Sequence, residues 1–363
     1  MIRRLPSAAV VIAAVAACAP VAPPPPPGEA RLNLTRSTFS MLPGWAEDAH
    51  FAALPALVRS CALPATLPDG RRFNVGGSGE TVADWKQACA AAGRVPEGDS
   101  RAARSYFETW FTPFLAADRE NPQGLFTGYY EAELHGSRTR HGRYQTPVYS
   151  LPAKATTETR AGIEGGALAG KGLELLWADD PVDVFFLHVQ GSGRVVMEDG
   201  QTVRLGFAGR NGHAYVSIGH EFVKSGVMPK DQVSMQAIRA WLYAHPQQSA
   251  EMMARNPSYI FFREIKGEGP IGAQGVALTP GRSLAVDKQF IPFGLPVWLD
   301  TTDPMNPAKP LRRLVVAQDT GGAIKGPVRG DLFWGFGAAA AEKAGEMKQS
   351  GRYFLLLPKS AAP

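Results

Sequence analysis

The chain has 363 residues, of which 45% are hydrophobic and 20% are charged, and its formal net charge is +5. Its length suits two ordinary domains or one large one, and its composition is typical of a soluble globular protein. Arg3 and Arg4 lie in a segment that we expect to be removed. The remaining charge of +3 is too small to indicate nucleic-acid binding, although it suits an anionic polymer or a membrane surface.

The first residues are typical of an exported lipoprotein. A short positive region, Met1 to Arg4, precedes an apolar run at residues 8–17 that is too short to span a bilayer. The run ends in small residues before Cys18, as in the bacterial lipoprotein processing box. We therefore expect a signal peptide at residues 1–17 and a lipidated Cys18. Because no aspartate follows the cysteine, we expect an anchor on the periplasmic side of the outer membrane. A plain secretory peptide with an incidental cysteine is the alternative.

A linker is predicted at residues 18–45, where the proline run Pro23–Pro27 favours a stiff, extended spacer. Cys61 and Cys89 follow it. In an oxidising periplasm they can form a disulfide, worth roughly 3 kcal/mol on the chain-entropy model, or they can remain two buried thiols. The histidines are scattered, and no group of Cys and His has metal-ligand spacing. We therefore predict neither a metal site nor a cofactor.

The predicted elements change in character along the chain. From residue 51 to about residue 120 the pattern is mostly helical, with good helix formers at residues 83–92 and an amphipathic stretch from Arg101. Residues 125–134 alternate and are rich in aromatics, which predicts a strand. Residues 182–193 are interpreted as a second strand that ends in a Gly-rich turn.

The rest of the chain favours a barrel. A hairpin turn is predicted at residues 199–200, and helices are predicted at residues 217–224 and 234–244. From Tyr259 onward, short strands recur about every ten residues with Gly and Pro between them, which is typical of a closed β-barrel. One helix, at residues 337–347, interrupts them. The sequence therefore predicts a mainly β fold with helices.

Three aspartates in the last third are the candidate catalytic residues. Asp287, Asp319 and Asp331 lie near glycines at predicted strand ends, where the backbone can approach a ligand. Apolar neighbours can raise the pKa of a carboxyl group toward the working pH, as acid/base catalysis requires. The alternative for each is a turn residue that caps its own backbone. Asp319-Thr320-Gly321 also matches the aspartic-peptidase triplet, but a peptidase needs two such aspartates, so we disfavour it.

Four further motifs accompany the aspartates: FTGYYE at residues 126–131, FLHVQGSG at 186–193, GRNGHAY at 209–215 and NPSY at 256–259. With the three-aspartate pattern they resemble the membrane-bound lytic murein transglycosylase A family. Each motif is weak alone, whereas the set in this order is specific. The resemblance runs from about residue 105 to the end, and residues 46–104 carry no motif that we can match.

The resemblance implies an architecture and a reaction. A double-psi β-barrel is built from residues 46–122 and 260–363, with the three-aspartate domain at residues 270–358. A second β-rich domain, residues 123–259, is inserted between these parts, and a groove at the junction holds a glycan strand. The implied reaction cleaves the β-1,4 bond between N-acetylmuramic acid and N-acetylglucosamine in peptidoglycan and leaves a 1,6-anhydro sugar.

One carboxyl group can suffice for that reaction, because the sugar's own C6 hydroxyl is the nucleophile and already lies within reach of C1. By motif position in the family, Asp331 is the acid/base. Asp319 and Asp287 then stabilise positive charge or order the site, and whether Asp331 or Asp319 transfers the proton stays open. Two other functions also stay open. One is a hydrolase with two carboxylates, such as Asp331 and Glu131, and the other is a lipoprotein that binds peptidoglycan without cutting it.

Other motif side chains suit a glycan groove. Aromatic rings can lie against sugar faces, although barrel core is the alternative for each, and polar groups can bond to hydroxyl and acetamido groups. Lys325 can neutralise the lactyl carboxylate of muramic acid or cap a turn. The expected partners are glycan strands and the outer membrane but no nucleic acid, and cell-wall synthesis or division proteins are further candidates. The candidate substrate-binding residues are Tyr130, Glu131, Gln190, Ser192, Asn211, His213, Lys325 and Trp334.

Overall fold

A computed structural model describes residues 30–73, 75–267 and 269–359 of the protein. The predicted signal peptide, the lipidated Cys18 and the proline run lie outside these residues. Within the described part, no helix has both the length and the apolar character that crossing a membrane requires.

The described residues form a strand-rich fold with helices at its start, middle and end. The strands are β1 Leu32–Arg36, β2 Phe111–Asp118, β3 Gly124–Ser137, β4 Thr146–Tyr149, β5 Glu174–Ala178, β6 Gly193–Met197, β7 Thr202–Arg210, β8 Ile260–Ile265, β9 Ser283–Val286, β10 Pro296–Asp303, β11 Asn306–Asp319, β12 Arg329–Phe336 and β13 Lys348–Pro358. The helices are α1 Leu54–Ser60, α2 Ala62–Ala65, α3 Val82–Ala92, α4 Ser100–Trp110, α5 Arg160–Gly162, α6 Pro181–Gln190, α7 Ile218–Lys224, α8 Met235–Ala244, α9 Pro246–Ala254 and α10 Ala338–Glu346.

Six strands close into a barrel. β13 pairs with β10, β10 with β11, β11 with β9, β9 with β12, β12 with β3, and β3 again with β13. The pairs β11–β9 and β12–β3 are parallel, and the other four are antiparallel. The closed ring confirms the barrel that the strand spacing predicts, and it leaves none of the six strands as a free edge. Val297, Leu314, Val316 and Leu355 of these strands lie fully buried in the main hydrophobic core.

One strand, β3, belongs to both sheets of the protein. Up to Glu131 it pairs with β12, and from Ala132 onward it pairs with β6. The second sheet has the order β4, β5, β3, β6, β7, β8. Strand pairing joins residues 124–131 to the barrel and β8 to the second sheet. The domain boundaries before residue 123 and after residue 259 stay a prediction.

The N-terminal segment, which carries no recognisable motif, packs onto the barrel. β1 pairs with β2, and β2 pairs with β13, so these strands extend the barrel sheet. α3 begins with a capping box between Thr81 and Asp84, and its buried face joins the core that also holds Phe107 of α4. Cys61 and Cys89 form a disulfide with a Cα–Cα distance of 5.7 Å. The bond ties the end of α1 to α3.

The strand predicted at residues 182–193 is wrong, because this segment forms α6. Asp180 caps the helix by accepting hydrogen bonds from its first turn, Pro181 occupies that turn, and Gly191 ends the helix with φ +78°. The run lacks a polar stripe because the helix is buried on two sides, one against the second sheet and one against α7–α9. The two buried sets are Val184 with Leu187, and Val182 with Phe185 and Phe186.

Most other predicted elements lie where the sequence places them. The β6–β7 hairpin, the helices α3, α4, α7, α8 and α10, and the C-terminal strands are confirmed. Phe111 and Phe114 differ, since they extend the predicted helical pattern of α4 but lie in β2. α9 was not predicted because Pro246, which ends α8, also occupies the first turn of the next helix, where its missing N–H costs nothing.

Candidate active site

Asp331 lies on β12, between its neighbours β3 and β9. In the pairing register it stands opposite Thr127 on one side and Ala285 on the other. Thr127 Oγ1 donates a hydrogen bond to Asp331 Oδ1 at 2.7 Å. Asp331 is half-buried, so it is held by the barrel wall without being sealed into the core.

Arg329 supports this hydrogen bond from two positions earlier on β12. Its Nη2 donates to Thr127 Oγ1 at 2.8 Å, and its Nη1 donates to the carbonyl oxygens of Leu125, at 3.3 Å, and Gly330. A hydroxyl group has one proton, so a Thr127 hydroxyl that accepts from Arg329 directs its own proton at Asp331. Arg329 therefore orients Thr127, and Thr127 orients the Asp331 carboxyl group.

The environment gives Asp331 an unusual pKa. Burial raises the pKa to about 6 and is the largest influence on it. The Arg329 charge and the Thr127 hydrogen bond lower the pKa, whereas the negative charge of Asp319 raises it. A carboxyl group with this pKa exists in both protonation states near neutral pH, as a group that first donates and then accepts a proton must.

Asp319, at the end of β11, is held by three donors. Its Oδ1 accepts from the backbone N–H groups of Ala273 at 2.8 Å and Thr320 at 2.9 Å, and its Oδ2 accepts from the Tyr129 hydroxyl at 2.9 Å. Burial raises the pKa of Asp319, and these hydrogen bonds offset only part of the rise, so the pKa stays above its ordinary value. Three donors suit a fixed carboxylate better than a group that must release and recover a proton.

Asp287 differs from the other two carboxyl groups because its hydrogen bonds hold a loop. It is only 3% exposed, and it accepts from the backbone N–H groups of Gln289 at 3.1 Å and Gly326 at 2.9 Å. Thr320 Oγ1 adds a bond to the Val286 carbonyl oxygen at 2.8 Å. These bonds close the loop at residues 320–326 at both ends, so Asp287 orders the loop that follows Asp319.

A buried polar network lies directly behind Asp319. Gln318 Nε2 donates to Ser60 Oγ at 2.9 Å, and Gln318 Oε1 accepts from Ser283 Oγ at 2.5 Å. Gln274 N donates to the Gln318 carbonyl oxygen at 3.0 Å. Ser60 ends α1 beside the disulfide, so the network connects the N-terminal segment to the residue before Asp319. No sequence motif signals this connection.

Glu131 lies away from the two central aspartates. It pairs with Phe336 at the end of the β3–β12 register, four residues beyond Thr127, or roughly 13 Å along an extended strand. It is 1% exposed, and neither carboxyl oxygen has a hydrogen-bond partner among the described residues. Burial raises its pKa, whereas the charges of Arg204 and Arg194 lower it. Glu131 is therefore a buried group at the junction of the two sheets.

Three other candidate binding residues near β3, Gln190, Tyr130 and Ser192, contribute to the packing of the second sheet. Gln190 Oε1 accepts from the Tyr130 backbone N–H at 3.1 Å, which joins the end of α6 to β3. Tyr130 is 8% exposed within the core of the second sheet, and Ser192 is likewise buried. Lys325 is exposed in the loop that follows Asp319.

Trp334 lies on the opposite face of the β3–β12 sheet from the two aspartates. Its indole packs against Gly128, where an added Cβ would lie 2.7 Å from Nε1. Gly128 falls between Thr127 and Tyr129, and alternate residues of a strand point to opposite faces. Arg313 and Lys343 lie over the ring at 5.4 Å and 5.1 Å from its centre, respectively.

Asn211 and His213 hold the backbone of the second domain. Asn211 Nδ2 donates to the carbonyl oxygens of Glu158 and Pro257, both at 2.8 Å, and Asn211 Oδ1 accepts from Tyr259 N at 2.9 Å. His213 Nε2 lies 2.7 Å from the Thr157 carbonyl oxygen. These side chains use most of their hydrogen-bonding capacity within the protein.

The structure thus brings Asp319 and Asp331 together and surrounds them with Thr127, Tyr129 and Arg329. Sequence reasoning gave Thr127 and Arg329 no role. The available signal was that residues 127 and 129 alternate on a predicted strand and so share a face. The strand beside them could not be known without the parallel pairing of β3 with β12. No group of three or more metal-ligating side chains occurs in the part of the chain that the structure describes.

Known proteins match the chain over both domains. Residues 125–263 match the MltA specific insert domain, and residues 282–357 match the 3D domain. The membrane-bound lytic murein transglycosylase A of Vibrio cholerae is 36% identical over 240 residues, which is 64% of this chain. The chain thus spans about 65% of the length of that curated relative.

Solved structures match more of the chain. A membrane-bound lytic murein transglycosylase from Agrobacterium tumefaciens is similar with a TM-score of 0.81 and 35% identity, over 90% of this chain and 98% of that one. Escherichia coli MltA with bound chitohexaose is similar with a TM-score of 0.71 and 28% identity, over 92% of this chain and 95% of that one.

Proposed function

Because the chain belongs to the membrane-bound lytic murein transglycosylase A family, we propose that it is a lytic transglycosylase that acts on peptidoglycan. It cleaves the β-1,4 bond between N-acetylmuramic acid and N-acetylglucosamine and leaves a 1,6-anhydromuramic acid end. The names of the relatives support the reaction class. The Escherichia coli structure that holds chitohexaose, an N-acetylglucosamine oligomer, supports a glycan as the ligand.

The observation that carries this proposal is the environment of Asp331. Its pKa is raised by burial to about 6, and Thr127 holds its Oδ1 at 2.7 Å. This leaves Oδ2 to carry the proton. Asp319, the nearby carboxyl group, is engaged by three donors, which suits a fixed negative charge. Asp331 is therefore the carboxyl group that transfers protons, and Asp319 is the carboxylate that hydrogen bonds hold in place.

In the proposed reaction, Asp331 Oδ2 gives its proton to the glycosidic oxygen as the bond from C1 to that oxygen breaks. The positive charge that develops at C1 is stabilised by the carboxylate of Asp319. The C6 hydroxyl of the same sugar then attacks C1, and its proton passes to Asp331. One bond to C1 is broken and another is formed, the acid is regenerated, and no water is consumed.

The position of Glu131 argues against a hydrolase that pairs it with Asp331. A hydrolase places its two carboxyl groups about 5–10 Å apart, on either side of the scissile bond. Glu131 instead lies at the far end of the β3–β12 pairing, with 1% exposure. Glu131 is therefore too far along the strand and too buried to activate water at the sugar beside Asp331.

We extend the proposal to architecture and location. The two parallel pairs within the six-stranded ring support a double-psi barrel. The word membrane-bound in the relatives' names supports membrane association. The N-terminal sequence with Cys18 supports a lipid anchor on the periplasmic side of the outer membrane.

Mass spectrometry of the products from purified sacculi tests the reaction. We expect muropeptides with anhydro ends, which are one water lighter than reducing ends. Reducing ends alone would contradict the proposal, and release of no muropeptide by a folded protein that binds sacculi would favour a binding role. Asp331→Asn should abolish release while sacculus binding persists. Asp231→Asn, on the exposed 3-10 helix Lys230–Gln232, is the matched control and should release the same products as the unmodified protein.

A further inference from the structure

The segment between β7 and α7, residues 211–217, crosses from the second domain toward the loop that follows Asp319. Tyr215 carries this contact: a Cβ added to Gly322 would lie 3.3 Å from Tyr215 Cβ and 3.9 Å from its Cγ. The side chain of Tyr215 therefore packs over the backbone of the loop. It is half-buried, so part of the ring remains accessible.

Tyr215 also lies near enough to Asp331 for their charges to interact. Burial is the largest cause of the raised pKa of the Tyr215 phenol, a hydrogen bond with Ser217 and the charge of Arg160 lower the pKa, and the negative charge of Asp331 raises it. The loop between them has only small side chains at Gly321, Gly322 and Ala323. None of these three side chains extends beyond one methyl group.

The surrounding polar residues fix this segment in place. Val216 N donates to Asn256 Oδ1 at 3.1 Å, and Asn211 and His213 bind the backbone as described above. The GRNGHAY and NPSY motifs are thus joined by hydrogen bonds among their own residues. These bonds hold the backbone on both sides of Tyr215, whose own side chain takes part in none of them.

We propose that Tyr215 is a substrate-contacting residue that forms the wall of the groove opposite Asp331, with its ring against a sugar beside the cleaved bond. The inference rests on the proposed function, since the ligand is the same glycan. A half-buried tyrosine, which presents part of an aromatic ring and a hydroxyl group, suits a sugar, which has apolar faces and polar edges.

Binding of chitohexaose to an inactive protein tests this role apart from catalysis. In the Asp331→Asn background, Tyr215→Ala should weaken chitohexaose binding at least tenfold by isothermal titration calorimetry, and Tyr215→Phe should weaken it less than threefold. Unchanged binding by Tyr215→Ala would overturn the inference even if the enzyme cleaves peptidoglycan. Absence of cleavage by the unmodified protein would instead contradict the proposed function.

Two further variants separate contact from folding. Gly322→Ala keeps the ring but adds a methyl group 3.3 Å from Tyr215 Cβ, so it should also weaken chitohexaose binding, by at least threefold. Tyr243→Ala removes a tyrosine that is 49% exposed on α8, and it should leave binding unchanged. If Tyr215→Ala lowers the melting temperature and Gly322→Ala does not alter binding, Tyr215 has only a structural role and the inference is wrong.

Discussion

Thr127 donates a 2.7 Å hydrogen bond to Asp331 across the parallel pair of β3 and β12, although 204 positions separate the two residues in the chain. The bond contacts only one carboxyl oxygen, Oδ1, and Arg329 fixes its direction. The proposed acid is therefore oriented, and its pKa is lowered, by a residue that is close to it only because the barrel closes.

Thr127→Val should move the pH dependence of the reaction. A hydrogen bond to a charged group is worth about 1.5–3 kcal/mol, so its loss should raise the pKa of Asp331 by roughly one to two units. The decline of kcat/KM at high pH should shift upward accordingly, and its maximum should fall because the carboxyl group is no longer oriented. Thr127→Ser keeps the hydroxyl and should restore the original profile. An unshifted profile for Thr127→Val would show that the bond does not tune the acid.

The unmodified enzyme should lose activity as the pH rises through about 6, the pKa of Asp331. The first proposed step requires the protonated acid, and its fraction falls tenfold for each pH unit above the pKa. Kinetics on a soluble glycan substrate between pH 4.5 and 8 would measure this limb. A rate that rises with pH across the same range would instead indicate that Asp331 acts first as a base.

Asp331→Asn should stabilise the protein at neutral pH while it abolishes activity. The folded pKa of about 6 exceeds the ordinary value of 3.8, so the folded state loses stability as the pH rises from about 4 to 6 and the acid ionises. Asparagine avoids this cost. Allowing for the partial exposure of the residue, we expect a gain of about 1–2 kcal/mol at pH 7 and none near pH 4. Urea unfolding at both pH values measures it, and an equal gain at both would contradict this cause.

Glu131→Gln should leave the reaction intact. The carboxyl group is buried without a hydrogen-bond partner among the described residues, and burial raises its pKa, so a neutral amide of the same shape fits the site. We expect at least half of the original kcat/KM and the same anhydro products. A hundredfold or greater loss of kcat/KM, with normal folding, would show that Glu131 takes part in the reaction.

Replacing both disulfide cysteines, as in Cys61→Ser with Cys89→Ser, should destabilise the protein. The bond closes a separation of 28 residues, and on the chain-entropy model this is worth roughly 3–4 kcal/mol. Urea unfolding of the double variant measures the loss. Reduction of the unmodified protein should reproduce it, and reduction of the double variant should have no further effect.

Much of the barrel could be predicted because its signals are local. Short apolar strands with Gly and Pro between them indicate a barrel, and the Gly-rich run after Asp319 marks the loop that begins there. The strand prediction for the α6 segment was wrong because the helix is buried on two sides. It therefore lacks the polar stripe that distinguishes an amphipathic helix from a strand.

The site was harder to predict because its hydrogen bonds join distant parts of the chain. Ser60 approaches Gln318 from a segment without recognisable motifs, and Thr127 approaches Asp331 only through strand pairing. Asn211 is a different case, because its motif is recognisable but its observed contacts lie within its own domain. Its motif suggested a ligand contact, whereas its amide holds backbone carbonyl groups of its own domain, a use that the residue type alone cannot distinguish.

β3 is a single strand that contributes to the barrel as far as Glu131 and to the second sheet from Ala132 onward. The position of the second sheet relative to the barrel is therefore fixed by one continuous strand and not by a flexible loop. Deleting one residue from this strand would turn every later side chain to the opposite face, expelling Leu134 from its core. Length changes that alter the width of the cleft should therefore be tolerated in the loops on either side of β3 and not within it.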